Sequence, residues 1–283
     1  MHEILSNELI SPNTGKMVVK AEYVAAHRKA GQFIILRINE KGERIPLTIA
    51  DSDREGGTIT LLYQVVGRTT TLLSEMKAGE SLLDIAGPLG HPTEVKKYGT
   101  VVCVGGGIGV APVYPISSAM KKAGNRVINI IGAREKHLLI LESELTAVGD
   151  ETLVCTDDGT HGRKAFVTEI LNEIIAREKV DLVVAIGPVP MMKAVSELTK
   201  QKEIPTLVSL NSIMVDGTGM CGGCRVSVGG EKKFTCVDGP EFDGHKVDFT
   251  ELMTRLGSYR DEEKLSMESD HTCKLDGVTG HGR

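Results

Sequence analysis

Val101-Val-Cys-Val-Gly105-Gly106-Gly107-Ile108-Gly109-Val110-Ala111-Pro112 decides the fold. Four apolar residues read as a buried strand and the glycines as a tight turn. The proline then fits the first turn of a helix, where its missing N–H breaks no bond. Such a junction can set a helix N-terminus against phosphate. It is not the Rossmann fingerprint, because Val110 stands where that pattern has Gly or Ala, and no acidic residue ends the next apolar run. Further apolar runs at 127–131, 153–156 and 182–186 alternate with helical stretches at 111–123, 164–178 and 189–199. That alternation predicts a doubly wound parallel-sheet nucleotide domain over 98–210. Ligands of such sheets sit outside the carboxyl ends of the strands. Asp157-Asp158-Gly159 and Gly187-Pro188-Val189-Pro190-Met191 end two of them. These turns are therefore expected to share one crevice with Gly105, Gly106, Gly107, Gly109 and Pro112. Taken singly, Met191 also reads as core and Asp157 as an exposed turn.

Upstream, short runs at 16–23, 32–38, 47–51 and 58–66 are separated by polar, glycine-bearing turns, which predicts an antiparallel β-barrel over 1–97 with a short helix near 70–76. Arg44-Ile45-Pro46-Leu47-Thr48 enters one strand, and Val65-Val66-Gly67-Arg68-Thr69-Thr70 leaves another for the helix. Arginines, hydroxyls and helix amides in these places suit phosphate, although an arginine at a barrel edge is commonly only solvated.

The chain has 283 residues, net charge −5, 41% hydrophobic and 25% charged residues, and no tryptophan. Two or more domains fit that length, and the composition excludes a mainly disordered chain. The acidic balance argues against nucleic-acid binding through a basic surface. The longest apolar stretch, 101–116, holds four glycines and two prolines and is too broken to span a bilayer. No basic segment followed by a long apolar core opens the sequence, so a cytoplasmic protein with reduced thiols is expected.

Residues 216–239 carry seven glycines and three of the six cysteines. In Asp216-Gly-Thr-Gly-Met-Cys221-Gly-Gly-Cys224, followed by Cys236, the spacing is that of a plant-type [2Fe–2S] site with Asp216 in the place of the first cysteine. Glycines let the loop wrap an inorganic core and leave N–H groups free for its sulfurs. Residues 226–235 read as a hairpin that returns Cys236 to the other two cysteines. Three thiolates and a carboxylate also suit zinc, which would make the chain a non-catalytic, zinc-stabilised assembly subunit. A disulfide-exchange pair and unligated core cysteines remain further readings. The cluster domain is expected over 211–250, with a C-terminal helix and tail over 251–283. Cys103 and Cys155 read as core, and Cys273 has no role.

In this order the motifs resemble the ferredoxin–NADP reductase superfamily over roughly residues 1–250. The resemblance implies an oxidoreductase subunit without an acid–base triad. It places flavin on Arg44, Pro46, Leu47 and Thr48, with the hydroxyl near the flavin N5. It places the FAD diphosphate at Val65, Gly67, Thr69 and Thr70. Nicotinamide nucleotide then falls to Gly105–Pro112, Asp157, Gly187, Pro188 and Met191. The second nucleotide motif usually opens Cys-Gly-Pro, whereas Ile186 precedes Gly187 here. The appended loop is similar to that of the electron-transfer subunit of dihydroorotate dehydrogenase B. With Asp216 it is more similar to the small subunit of NADH-dependent reduced ferredoxin:NADP oxidoreductase, a group also called sulfide dehydrogenase beta subunit. This implies that Asp216, Cys221, Cys224 and Cys236 hold a [2Fe–2S] cluster. It further implies NAD(H), FAD and a heterodimer with a larger flavoprotein related to the glutamate synthase small chain. That partner would carry FAD, [4Fe–4S] clusters and NADP(H), and the complex would act with ferredoxin by electron bifurcation.

Overall fold

A computed structural model describes residues 1–268; His271 and Cys273 lie outside the described residues. The first unit is an antiparallel sheet built from β1 (His2–Ser11), β2 (Thr14–Lys20), β3 (Phe33–Arg37), β4 (Arg44–Asp53), β5 (Thr58–Gln64), β6 (Ser81–Leu82) and β7 (Asp84–Leu89). The order is β6-β1-β2-β5-β4-β3-β7. Its two edges are consecutive in the chain, separated by Leu83 alone, so the sheet coils into a nearly closed barrel. Ile4, Met17, Ile34, Leu36, Ile59 and Leu61 point inward and are fully buried. Helix α1 (Glu22–His27) follows β2, and α2 (Arg68–Glu75) follows β5. The predicted strands and short helix all form, with ends moved by a few residues.

The second unit holds β8 (Thr100–Gly106), α3 (Val110–Lys122), β9 (Arg126–Ala133), α4 (Glu142–Val148), β10 (Glu151–Thr156), β11 (Arg163–Lys164), α5 (Val167–Arg177), β12 (Leu182–Ile186), α6 (Val189–Gln201) and β13 (Thr206–Ser209). These strands pair in parallel, and the central ones are buried on both faces, which is why they read as continuous apolar runs. α5 buries Val167, Ile170, Leu171 and Ile174, one helical face, and Glu169 accepts from the Phe166 N–H at 2.8 Å at its start. After β13 the chain forms the hairpin β14 (Arg225–Val228) and β15 (Glu231–Phe234), then the short helix α7 (Thr235–Asp238). It returns as β16 (Glu241–Asp243), antiparallel to β13, so the cysteine-bearing excursion begins and ends on the nucleotide sheet. α8 (Phe249–Leu256) and α9 (Arg260–Glu268) follow. Among the described residues no helix is long and apolar enough to cross a membrane.

Asp181 pins the start of β8 to β12. Its Oδ2 accepts from the Thr100 N–H at 2.9 Å, and its N–H donates to the Thr100 carbonyl at 2.9 Å. The Lys179 ammonium and that amide hold the carboxyl below its ordinary value. Its contribution is therefore present above the unfolded value near pH 4 and is lost as pH falls through the depressed folded value. Lys179 is exposed and adds little. Asp181→Ala is expected to lower stability by about 1–2 kcal/mol at pH 7. Thermal unfolding at pH 7 and pH 3 should show the deficit narrowing in acid.

Candidate functional site

The carboxyl ends of β8, β9, β10 and β12 open into a cleft of about 780 Å³. Gly106 and Gly107, Arg134, Asp157, and Gly187 to Met191 line it, so the turns expected to converge do so. A Cβ on Gly109 would strike the Ile186 carbonyl and come within 2.7 Å of the Gly187 Cα; one on Gly187 would lie 3.0 Å from the Gly106 carbonyl oxygen. The β8 and β12 turns are thus packed backbone to backbone, and only glycine permits it. Gly107, at φ +55°, has nothing within 4 Å of its missing side chain, so it presents bare backbone to the cleft. Pro112 lies in the first turn of α3 and is buried. Cys155 also reaches the cleft wall, and burial pushes its thiol up to about 11. Cys103 is fully buried in β8 and is pushed up to about 12 for the same reason.

The sequence reading missed the opposite wall. Asn13, Thr14 and Gln64 of the barrel, with Phe166, Asn211 and Leu256, complete the cleft. Asn13 lies in the β1–β2 turn and Thr14 opens β2, and the Asn13 carbonyl accepts from the Val65 N–H at 2.8 Å. The cleft therefore runs from the turns of the nucleotide sheet to the end of β5, where residues 65–70 begin. The Pro12-Asn13 turn has no spacing signature for this role, and Phe166 falls inside the stretch read as helical over 164–178, although it stands exposed before α5.

On the barrel, Arg44 is exposed, and Pro46, Leu47 and Thr48 are half-buried on β4. Pro46 pairs with Ile35 and Thr48 with Phe33. Gly67 precedes α2. The Thr70 hydroxyl accepts from the Val66 and Gly67 N–H groups at 3.1 Å each and donates to the Gly67 carbonyl at 3.0 Å. Thr69 is buried and donates to Glu43. Both hydroxyls thus shape the turn itself, leaving backbone as its outward chemistry.

The cysteine loop sits directly on β3 and β7. A Cβ on Gly217 would lie 2.7 Å from Leu89 and 2.8 Å from Ile35, and Phe33, Ile35, Met214, Cys224 and Cys236 form one apolar cluster. Cys224 and Cys236 are buried with their sulfurs 3.2 Å apart, and the Cys236 N–H donates to the Cys224 sulfur at 3.4 Å. The Cys224 carbonyl accepts from the Thr235 N–H at 3.1 Å and the Thr235 hydroxyl at 3.0 Å. That tie fixes the hairpin so that both thiols meet. Burial, then the neighbouring Cys224, pushes the Cys236 thiol up to about 12. On the same loop Cys221 is exposed and Asp216 half-buried. Asp216 accepts from the Thr218 N–H at 3.0 Å and the Cys221 N–H at 2.9 Å, and these amides hold its carboxyl below the usual range. The Gly223 N–H donates to the Cys221 sulfur at 3.4 Å. Among the described residues no three such side chains gather at the spacing of one metal ion. The donors stand instead as two pairs, Asp216 with Cys221 and Cys224 with Cys236. Soft sulfurs, glycines at positive φ and amides aimed at sulfur fit an iron–sulfur core.

Comparison with known proteins gives three successive matches. An oxidoreductase FAD-binding domain matches residues 2–93, an oxidoreductase NAD-binding domain residues 103–197, and the iron–sulfur cluster binding domain of dihydroorotate dehydrogenase B residues 211–248. A Thermotoga maritima protein, a homologue of the dihydroorotate dehydrogenase B (NAD⁺) electron transfer subunit, is 46% identical over 268 residues, 95% of each chain. The electron transfer subunit of Bacillus pumilus is 34% identical, covering 86% of this chain and 96% of its own. A structure of NADH-dependent reduced ferredoxin-NADP oxidoreductase, solved for insight into flavin-based electron bifurcation, has a chain 45% identical. The match covers 95% of this chain and 97% of that one, with a TM-score of 0.90.

Proposed function

Since the chain belongs to the family of dihydroorotate dehydrogenase B electron-transfer subunits and their homologues, an oxidoreductase subunit with FAD-, NAD- and iron–sulfur-binding domains, we propose that it passes electrons from NAD(H) to a larger flavoprotein within a bifurcating NADH-dependent reduced ferredoxin:NADP oxidoreductase. One observation carries the reading: Ile35 both pairs with Pro46 of the first flavin stretch and lies under Gly217 of the cysteine loop. The nucleotide cleft reaches the same barrel through Asn13 and Val65. Nucleotide, flavin and cluster positions therefore follow one another around a single barrel.

Bound FAD and a [2Fe–2S] cluster supply the conversion of one hydride into single electrons. The chain's own residues bind and orient. The β8 turn offers backbone N–H groups and the α3 N-terminus to the nucleotide diphosphate. Pro188 and Met191 wall the cleft beside Gly106, and Thr48 on β4 would offer its hydroxyl to a bound flavin. Asp216, Cys221, Cys224 and Cys236 would hold the cluster, with the Gly223 and Cys236 N–H groups directed at the Cys221 and Cys224 sulfurs. Asp157 and Arg134 both line the cleft and pull in opposite directions on a 2′-phosphate, so the preference for NAD rests on the family. The carboxylate at position 216, in the place where the dihydroorotate-type loop has its first cysteine, supports the bifurcating reading over the dihydroorotate-oxidising one. The larger subunit that co-purifies with the chain tests it. A flavoprotein related to the glutamate synthase small chain, with [4Fe–4S] clusters and NADP(H), is expected; a dihydroorotate-oxidising subunit would overturn it.

A carboxylate is a harder ligand than a thiolate. Asp216→Cys is therefore expected to move the cluster midpoint potential by on the order of tens of millivolts. Redox titration followed by paramagnetic resonance reads the shift. An unmoved potential with the same cluster removes Asp216 from the ligand set.

A further inference from the structure

Glu241 begins β16, five residues beyond Cys236, at the place where all three units meet. Its Oε1 accepts from the Thr93 hydroxyl at 2.5 Å, and a Cβ on Gly31 would come within 2.7 Å of the same oxygen. Thr93 lies in the connection between barrel and nucleotide sheet, and its N–H donates to the Ala30 carbonyl at 2.9 Å. Gly31 leads into Phe33, which belongs to the same apolar cluster as Cys224 and Cys236. The adjoining Gly239 carbonyl accepts from the His91 N–H at 2.6 Å. The residue is half-buried with its carboxyl turned inward, and among the described residues no cation pairs with it: burial pushes it up to about 7 against the opposing pull of Thr93. The titratable groups facing it are Cys103 of β8 and Tyr98 of the connection. Both are neutral at pH 7, and burial and then acidic neighbours, Glu241 among them, raise them further. Glu94 and Lys96 on the connection pair with each other.

A carboxyl enclosed at a junction without a counter-charge is a poor structural tie. It is a good proton acceptor for charge arriving nearby, because its two states lie close in free energy near neutral pH. Resting on the electron-transfer reading above, we propose that Glu241 compensates electron arrival at the cluster: as one electron enters the cluster held by Cys224 and Cys236, one proton from solvent binds the Glu241 carboxylate, and the net charge of the junction is unchanged. The added electron stabilises the protonated acid, and the proton stabilises the added electron, by the same coupling.

The test is the cluster midpoint potential from pH 5.5 to 9 in the full chain, read by paramagnetic resonance during redox titration. The expected result is a potential that is level in acid, where Glu241 is already protonated, and that falls with pH above the neutral point. Glu241→Gln keeps the shape and the acceptor for Thr93, and its potential should be level throughout. Thr93→Val removes the hydrogen bond that favours the charged form, so its bend should move to higher pH. Infrared difference spectra on reduction should gain a protonated-carboxyl band in the wild type that Glu241→Gln lacks. A wild-type potential independent of pH, an unchanged slope in Glu241→Gln, or pH dependence confined to the flavin overturns the proposal. A chain with no paramagnetic signal at any potential overturns the electron-transfer reading itself.

Discussion

Cys236→Ser is expected to abolish the paramagnetic signal of the dithionite-reduced chain, with loss of nearly all its iron and sulfide, while the FAD stays bound. Cys236 is buried, and its sulfur lies 3.2 Å from that of Cys224, so the two act as one pair. Serine keeps the volume but supplies a hydroxyl that does not ionise at neutral pH, and half of a soft ligand pair disappears. Flavin should survive because the barrel core of Ile4, Met17, Ile34 and Leu36 is separate from the cluster that contains Cys236. Cys103→Ser is the matched control: that thiol is equally buried but lies in β8, and its loss should leave iron content unchanged. Full iron content and an intact signal in Cys236→Ser would remove this residue from the ligand set.

Gly109→Ala is expected to have the next largest effect. Its Cβ would meet the Ile186 carbonyl and the Gly187 Cα, which are backbone atoms that cannot rotate away. The β8 and β12 turns must separate, at a cost of about 1–3 kcal/mol typical of overpacking. The nicotinamide then loses its alignment, and displacement on the scale of 1 Å lowers a positioned reaction about 100-fold. Stopped-flow reduction of the bound flavin by NADH should slow by about that factor, while reduction by dithionite, which needs no cleft, should not. Equal slowing with both reductants would mean that the substitution acts on the flavin site or on folding in general.

The two nucleotide turns were legible because buried parallel strands write themselves as apolar runs that stop at glycine: Leu182–Ile186 forms where its five apolar residues stand, and all are buried. The hairpin was legible from Gly229-Gly230, which occupy φ +61° and +81° between β14 and β15. β1 was not, since in His2–Ser11 only Ile4 is buried and the strand is held by pairing with β2 and β6 rather than by an apolar pattern. β16 was missed for a similar reason: three residues with Phe242 inward are defined by their antiparallel partner on β13. The acidic and thiol donors could be read from spacing, but their sorting into an outer pair, Asp216 with Cys221, and a buried pair, Cys224 with Cys236, could not. It depends on which residues meet Phe33 and Ile35 of the barrel, a contact between distant parts of the chain. Glu241 gave no local signal at all, because its surroundings come from three separate stretches.

The central claim is that one chain carries a flavin and a two-iron cluster in electronic reach of each other. Anaerobically purified chain should contain one FAD, two irons and two sulfides, on the order expected for a plant-type site, and should develop a low-temperature paramagnetic signal on dithionite reduction. A colourless preparation that holds zinc and no flavin would contradict the account.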